Sequence, residues 1–497
     1  MKKSSREIQQ SLNDVFRLVF SLCVLLTLVF AAPTYVYAEA AGGLSQVRKL
    51  YVDSLGTDKG AAEMRQQIVS RLRRSQYVQV VSNPKEADAL VKGTGRIWVT
   101  GHVSLSPRSH SISQSTFGGF LSAEVVGKND EMLWSYLVTP SNFPWNSITA
   151  DLARQLVSKL LAALKGEDHQ GPAVADSLVQ AEGTLSGAGA TFPEPLYQRW
   201  FELFQQQYPK VHIRYDAVGS AKGIERLTEG KLDFAASDMP LSNQAMSEAN
   251  QHFVHVPTVL GAVVVIYNVN GLRQTLNFTP EILSGIYLGK ITKWNDPQIR
   301  KSNRGAVLPD AIIAVVHRSD GSGTSFVWTD YLSKVSPQWK ASIGVGATVP
   351  WPVGIGAERN EGVASAVQQT PNSIGYVEFI YAIQHELSFG TVKNSSDEFI
   401  KASISSVTAA AAAATSSPGR DFRVSITNAP AKTAYPIATF TWLLIPEQID
   451  DKNKKNVLTQ FVGWALTAGQ SRCSALGYAP LPADVAKRGL ESFAAIK

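Results

Sequence analysis

From Arg318 to Thr324 the chain reads Arg-Ser-Asp-Gly-Ser-Gly-Thr: a fixed cation, then a glycine loop carrying hydroxyls. The apolar run Ile312 to Val316 reads as a strand that ends at His317-Arg318. Beyond the loop, Phe326, Val327, Tyr331 and Leu332 recur at helical spacing. A strand, a glycine loop and a helix start together aim free backbone N–H groups and a positive dipole end at an anion. Ser322 and Thr324 add hydroxyls at cap positions, and Arg318 adds fork geometry. Asp320 stands where it can pair with Arg318 and hold its guanidinium in place. Read alone, the loop serves equally well as an ordinary helix cap.

Two upstream segments repeat the layout. Thr184-Leu185 leads into Gly187-Ala188-Gly189-Ala190-Thr191-Phe192-Pro193, and a helix is predicted over Glu194 to Tyr208 with the stripe Leu196, Trp200, Leu203 and Phe204. His212 to Tyr215 reads as a strand, and Gly219-Ser220-Ala221-Lys222-Gly223 opens a helix through Leu227. Phe234 to Ala236 is a short strand ending in Ser237-Asp238-Met239-Pro240, where Asp238 is either a ligand or a cap for the next segment. In open α/β sheets such strand ends share one edge, where ligands bind. Helix N-termini converging there would hold an anion with little formal positive charge.

Other chemistries fail on their residues. No glycine loop is followed by Lys-Ser or Lys-Thr, which excludes a P-loop, and no G-x-S-x-G supplies a nucleophile elbow. His385-Glu386 lacks the second histidine of a zincin, and no Cys/His cluster offers a zinc site. Binding parts are present, and catalytic machinery, a metal site and a cofactor site are not expected.

The elements that must position these residues belong to a chain of 497 residues, too long for one ordinary domain. Composition is globular: 44% apolar and 18% charged. A basic start precedes the apolar run Leu18 to Ala32 and the small-residue site Val36-Tyr37-Ala38, the pattern of a secretory signal peptide over residues 1–38. Cys23 lies inside that run without a small residue before it, so a lipid anchor is not expected. Cleavage would leave Cys473 alone, without an intramolecular disulfide. The leader carries a net +2 of the formal +6, and the rest is too weakly charged to argue for nucleic acid.

Residues 47–165 read as a small α+β domain: a strand at Lys49 to Leu55, a helix at Ala61 to Arg74 with a basic outer face, and a strand at Tyr77 to Val81. One or two strands over Ala89 to Val103 come next, then a hairpin about Lys128-Asn129-Asp130 and a helix from Ile148 to Leu164 capped by Asn146 or Ser147. No constellation of chemistry marks this domain, so docking is its expected role. Residues 166–183 are small, polar and turn-rich, the composition of a linker. From Thr184 onward strand and helix signals alternate, which argues for α/β lobes. The alanine run Ala409 to Ala414 favours a helix within Glu398 to Thr415. Ile437 to Ile445 reads as a buried strand, Val457 to Ala468 as a helix, and Gly477 to Pro482 as a stiff turn before a short terminal helix.

Over Thr184 to Lys497 the chain resembles the phosphate-specific periplasmic binding proteins of phosphate ABC importers. The resemblance rests on GAGATFP (Gly187–Pro193), AVGSAKG (Ala217–Gly223), DFAASDMPLS (Asp233–Ser242), SGIYLGKITKWND (Ser284–Asp296), RSDGSGTSF (Arg318–Phe326) and NEGVASAVQQTPNSIGYVE (Asn360–Glu378). It implies a two-lobed α/β periplasmic binding fold of type II, here preceded by the α+β domain. Lobe one would take about 184–262 and 438–497, lobe two about 263–437, with hinge crossings near Leu260–Asn268 and Tyr435–Leu444. It also implies that Thr191 and Phe192, supported by Ala190, donate a hydroxyl and an N–H to the anion, and that Ser220 donates both. Ser322, Gly323 and Thr324 would donate from the third helix, and Arg318 would donate while held by Asp320. Asp238 would accept the proton that phosphate carries near neutral pH. Sulfate has no such proton, so Asp238 would be the selectivity residue.

The expected protein is therefore a monomeric periplasmic carrier that captures inorganic phosphate and delivers it to membrane permease subunits. Residues 47–165 depart from the family layout and imply an unknown envelope partner. The rival readings are a phosphate-sensing or envelope-docked scaffold and, with less support, a secreted phosphatase.

Overall fold

The computed structural model describes residues 43–58, 60–104, 113–140, 145–166, 181–249, 251–272, 274–414, 422–494 and 496. The expected signal peptide and most of the expected linker lie outside them. The described residues belong to one compact unit, Ala40–Lys497.

The N-terminal part is a five-stranded sheet with two helices. Its strands β1 (Lys49–Val52), β2 (Gln79–Val80), β3 (Ala89–Ser104), β4 (Ser113–Gly127) and β5 (Met132–Val138) lie in the order β2-β1-β3-β4-β5. β1 runs parallel to both its neighbours, and β3, β4 and β5 form antiparallel ribbons. Met64, Ile68 and Leu72 of the helix Ala61–Arg73 are buried, as their spacing predicts. Where one or two strands were expected over 89–103, β3 is a single strand of sixteen residues. The second helix begins at Trp145, so Asn146 and Ser147 lie in its first turn and do not cap it.

The remainder is one long mixed sheet that serves both lobes. Its strands are β6 (Gly183–Gly189), β7 (Val211–Ala217), β8 (Phe234–Ser237), β9 (Phe253–Asn268), β11 (Ala314–Arg318), β12 (Ile355–Ala357), β13 (Ser373–Glu378), β14 (Ser388–Phe389) and β17 (Ala438–Pro446). The order is β12-β11-β13-β9-β17-β8-β6-β7, with β14 also on β9. β9 explains how the lobes join. Its first part pairs with β17 as far as Ala262, and from Val263 onward it pairs with β13. The change of partner falls inside the expected crossing Leu260–Asn268, and β17 makes the return crossing. A small sheet of β10 (Asn277–Phe278), β15 (Thr391–Lys393) and β16 (Phe399–Ile400) flanks lobe two. The helix expected within 398–415 runs from Ile404 to Ala414, after β16.

Packing corrects one helix stripe. On Glu194–Gln207 the buried face is Leu196, Tyr197, Trp200, Phe201 and Phe204, whereas Leu203 is only half-buried. Phe201 and Phe204 meet Phe461 at centroid distances of 5.2 and 5.4 Å, which docks this helix on Lys452–Ala465. Among the described residues no helix is long and apolar enough to cross a membrane.

The N-terminal layer is bonded to both lobes. On lobe one, Ser122 Oγ donates to Ala475 O at 2.8 Å and the buried Ser135 Oγ donates to Ser471 O at 2.6 Å. Ser135 Oγ also accepts from Ala475 N at 3.2 Å. On lobe two, Lys401 Nζ donates to Pro140 O at 2.5 Å and Arg96 pairs with Glu386 at 2.9 Å.

Candidate functional site

Three strand-to-helix turns build one cleft between the lobes. β6 delivers Ala190, Thr191 and Phe192 to the start of the helix Glu194–Gln207. β7 delivers Gly219, in the left-handed region at φ 92°, to the start of the helix Ser220–Thr228. β11 delivers Arg318 to the loop that starts the helix Gly323–Val335, capped by Ser322 Oγ, which accepts from Ser325 N at 3.1 Å. The strand ends at His317 and Arg318 as expected, and begins at Ala314, two residues later than the apolar run. First-turn N–H groups of these helices have no acceptor within the helix.

All eight expected ligands are deeply buried: Thr191, Phe192, Ser220, Asp238, Arg318, Ser322, Gly323 and Thr324. The lobes touch directly here, because Ala221 N donates to Gly321 O at 3.1 Å. A methyl built on Gly323 would lie 2.6 Å from Asp238 Oδ2, so the third turn faces the Asp238 carboxylate across the cleft. Ala190 acts from behind: its N–H donates to Ala236 O at 2.9 Å and its carbonyl accepts from Tyr215 at 2.7 Å. Phe192 is fixed likewise by Tyr478, whose hydroxyl donates to Phe192 O at 2.7 Å.

The hydroxyls share one arrangement. Ser220 Oγ accepts from Asp238 N at 3.3 Å, and Ser322 Oγ from Ser325 N. Thr191 Oγ1 accepts from Asn360 Nδ2 at 3.0 Å, and Thr324 Oγ1 from Asn360 Nδ2 at 3.3 Å and Arg318 Nη1 at 3.4 Å. A hydroxyl whose lone pairs face N–H donors keeps its own proton for another acceptor. Among the described residues none of these four hydroxyls donates to a protein group. Ser322 contributes less than expected, because its backbone N–H is spent on Ala347 O at 3.0 Å.

The charged residues balance one another. Arg318 Nε donates to Asp320 Oδ1 at 2.7 Å, and Nη2 pairs with Oδ2. Asp320 Oδ1 also accepts from Arg359 N at 3.1 Å. Burial alone would raise the Asp320 carboxyl, but the bonds and charge of Arg318 outweigh it and hold the group below the usual carboxylate range. Asp238 is the opposite case. Burial pushes its carboxyl up to about 7, against the Thr441 hydrogen bond and the Arg318 charge, which pull it down. Thr441 Oγ1 donates to Asp238 Oδ1 at 2.5 Å, leaving Oδ2 toward the cleft. The result is a buried pocket of converging donors that faces the Asp238 carboxylate, suited to an oxyanion that carries a proton.

Two polar groups at this site, Asn360 and Thr441, are absent from the expected set. Asn360 opens one of the motifs that carry the resemblance, and Thr441 sits unmarked inside an apolar strand. Among the described residues no group of three or more His, Cys, Asp or Glu could hold a metal ion.

Residues 174–468 match the model of the PBP superfamily domain. The chain is 40% identical over 305 residues to the phosphate-binding protein PstS of Xylella fastidiosa strain Temecula1, spanning 61% of this chain and 83% of that protein. To the phosphate-binding protein PstS of Pasteurella multocida it is 38% identical over 306 residues, spanning 61% and 88%. The chain therefore belongs to the PBP superfamily and, within it, to the family of the PstS proteins. In fold it is similar to the subatomic-resolution structure of a high affinity periplasmic phosphate-binding protein bound with phosphate, at 20% identity and a TM-score of 0.50, covering 61% of this chain and 92% of that one. The N-terminal layer lies outside the family match.

Proposed function

We propose that this protein captures inorganic phosphate between its lobes, outside the cytoplasmic membrane, and delivers it to permease subunits of an ABC importer. Thr191, Phe192, Ser220, Arg318, Ser322, Gly323 and Thr324 donate to the anion, and Asp238 accepts its proton. The observation that carries this reading is the buried Asp238 carboxylate, set among donors and facing the third turn. A buried carboxylate facing an unprotonated oxyanion would be repelled, so the arrangement selects for phosphate or arsenate over sulfate. The relatives bear the names of phosphate-binding proteins, which supports a carrier without catalysis of its own. Calorimetric titration at pH 8 tests it: phosphate and arsenate bind, and sulfate binds at least about tenfold more weakly. Sulfate binding as tight as phosphate binding would overturn the reading.

One observation favours a second role alongside the first. The N-terminal layer is held by both lobes, so an envelope partner gripping it would be fixed relative to the cleft. The exposed Arg73 and Arg74 at the end of the first helix offer a basic contact face. A photo-crosslinking residue at Arg74 should capture one discrete envelope protein in intact cells while phosphate affinity stays unchanged. Diffuse or absent crosslinks would remove this role.

A further inference from the structure

Asn360 is fully buried and makes three hydrogen bonds. Its Oδ1 accepts from Glu378 N at 3.1 Å, and because a backbone N–H can only donate, this bond fixes which end of the amide is which. Nδ2 must then face the other way, where it reaches Thr191 Oγ1 of lobe one at 3.0 Å and Thr324 Oγ1 of lobe two at 3.3 Å. Both threonines are acceptors toward Asn360, so both hydroxyl protons are turned from it.

The backbone is arranged to place this side chain. The preceding residue, Arg359, has φ 62°, a left-handed conformation uncommon outside glycine, and its N–H donates to Asp320 Oδ1. Such conformations persist where the surroundings over-determine them, and they cluster at functional sites. The start of the helix Arg359–Gln369 is thereby tied to the Arg318–Asp320 pair on one side and to both threonines on the other. Tyr381 adds a further bridge, its hydroxyl donating to Thr191 O at 2.7 Å.

Resting on the phosphate reading, we infer that Asn360 is a positioning residue. It presets the Thr191 and Thr324 hydroxyls as donors to the anion, and it latches the two lobes together by bonding one threonine from each. Preset donors lose no reorganisation energy when the anion arrives, and a latch between lobes slows its departure.

A double-mutant cycle tests the inference by phosphate titration and stopped-flow release. Asn360→Leu, neutral and with the same branched heavy-atom skeleton, should weaken phosphate binding about thirtyfold, mostly through faster release. In a Thr191→Val/Thr324→Val background the same substitution should cost less than about threefold, because no hydroxyls remain to orient. Asn360→Asp covers the case in which the leucine variant does not fold. It keeps the acceptor for Glu378 N while turning the donor into an acceptor, and the repulsion of its charge cancels across the cycle. A merely structural role predicts equal losses in both backgrounds, and that result would overturn the inference. If the wild-type protein binds no phosphate, the functional reading itself fails. If it binds and the losses add, only the role of Asn360 is lost.

Discussion

Sulfate should bind this protein about tenfold more tightly at pH 6 than at pH 8, because the Asp238 carboxyl titrates near 7. Below that pH the protonated carboxyl donates a hydrogen bond to an unprotonated oxyanion. Above it the same group is a buried anion facing another anion. Only the protonated fraction can accept sulfate, so apparent affinity falls with that fraction, roughly tenfold per pH unit once ionisation is complete. Phosphate brings its own proton and should show a much flatter profile. Asp238→Asn removes the titration and leaves an amide donor in its place. Sulfate binding should then lose its pH slope and become measurable at pH 8. A steep sulfate profile that survives in Asp238→Asn would assign the titration to another group.

The same shift has a consequence for the unliganded protein. The folded-state carboxyl lies above its ordinary value, so the stability it contributes is present below about pH 4 and is lost as pH rises through about 7. Within that window the loss is at most about 1.4 kcal/mol per pH unit. Urea unfolding of the phosphate-free protein should show this decline, and Asp238→Asn should make it shallower, the buried Glu378 carboxyl, also raised by burial, keeping the remaining slope.

Much of the site is legible in the sequence because its ligands are local. Glycine loops and hydroxyls at helix starts occur within a few residues of the strands that aim them, and the three turns converge because α/β connections return to one sheet edge. What escapes a sequence reading is nonlocal. Asn360 meets Thr191 across 169 residues, and Thr441 meets Asp238 across 203. Nothing in the apolar run around Thr441 sets it apart from a threonine that merely suits a strand. The correction at Leu203 has the same origin. Helical periodicity gives a stripe, but Phe461 on a distant helix decides that Phe201 lies inside it. The docking of the N-terminal layer is likewise invisible in composition, since it rests on Ser122, Ser135 and Lys401, ordinary residues that gain meaning only from their partners.

Closure of the lobes has a sharper requirement than any single ligand bond, and it falls on Gly323. This glycine does not have a positive φ, so alanine would fit its backbone, and only space forbids it. The added methyl would lie 2.6 Å from Asp238 Oδ2 and 2.8 Å from Asp238 Cβ, closer than real side-chain contacts allow. Those atoms belong to the opposite lobe, so the strain falls on the closed cleft and leaves each lobe's own core intact. Gly219 shows the same tightness from the other side, since a methyl there would lie 2.8 Å from Gly321 O. Overpacking of this kind costs roughly 1–3 kcal/mol. Because the anion binds through both lobes, that cost is subtracted from binding. Gly323→Ala should therefore weaken phosphate binding by up to about a hundredfold while leaving unliganded thermal unfolding near the wild-type temperature. Small-angle scattering at saturating phosphate should show the variant more expanded than the wild type, because its lobes cannot fully meet. An affinity within about threefold of wild type would mean that the third turn does not approach Asp238 when the anion is bound. It would also remove Gly323 from the ligand set, since its backbone N–H can reach the anion only through that approach.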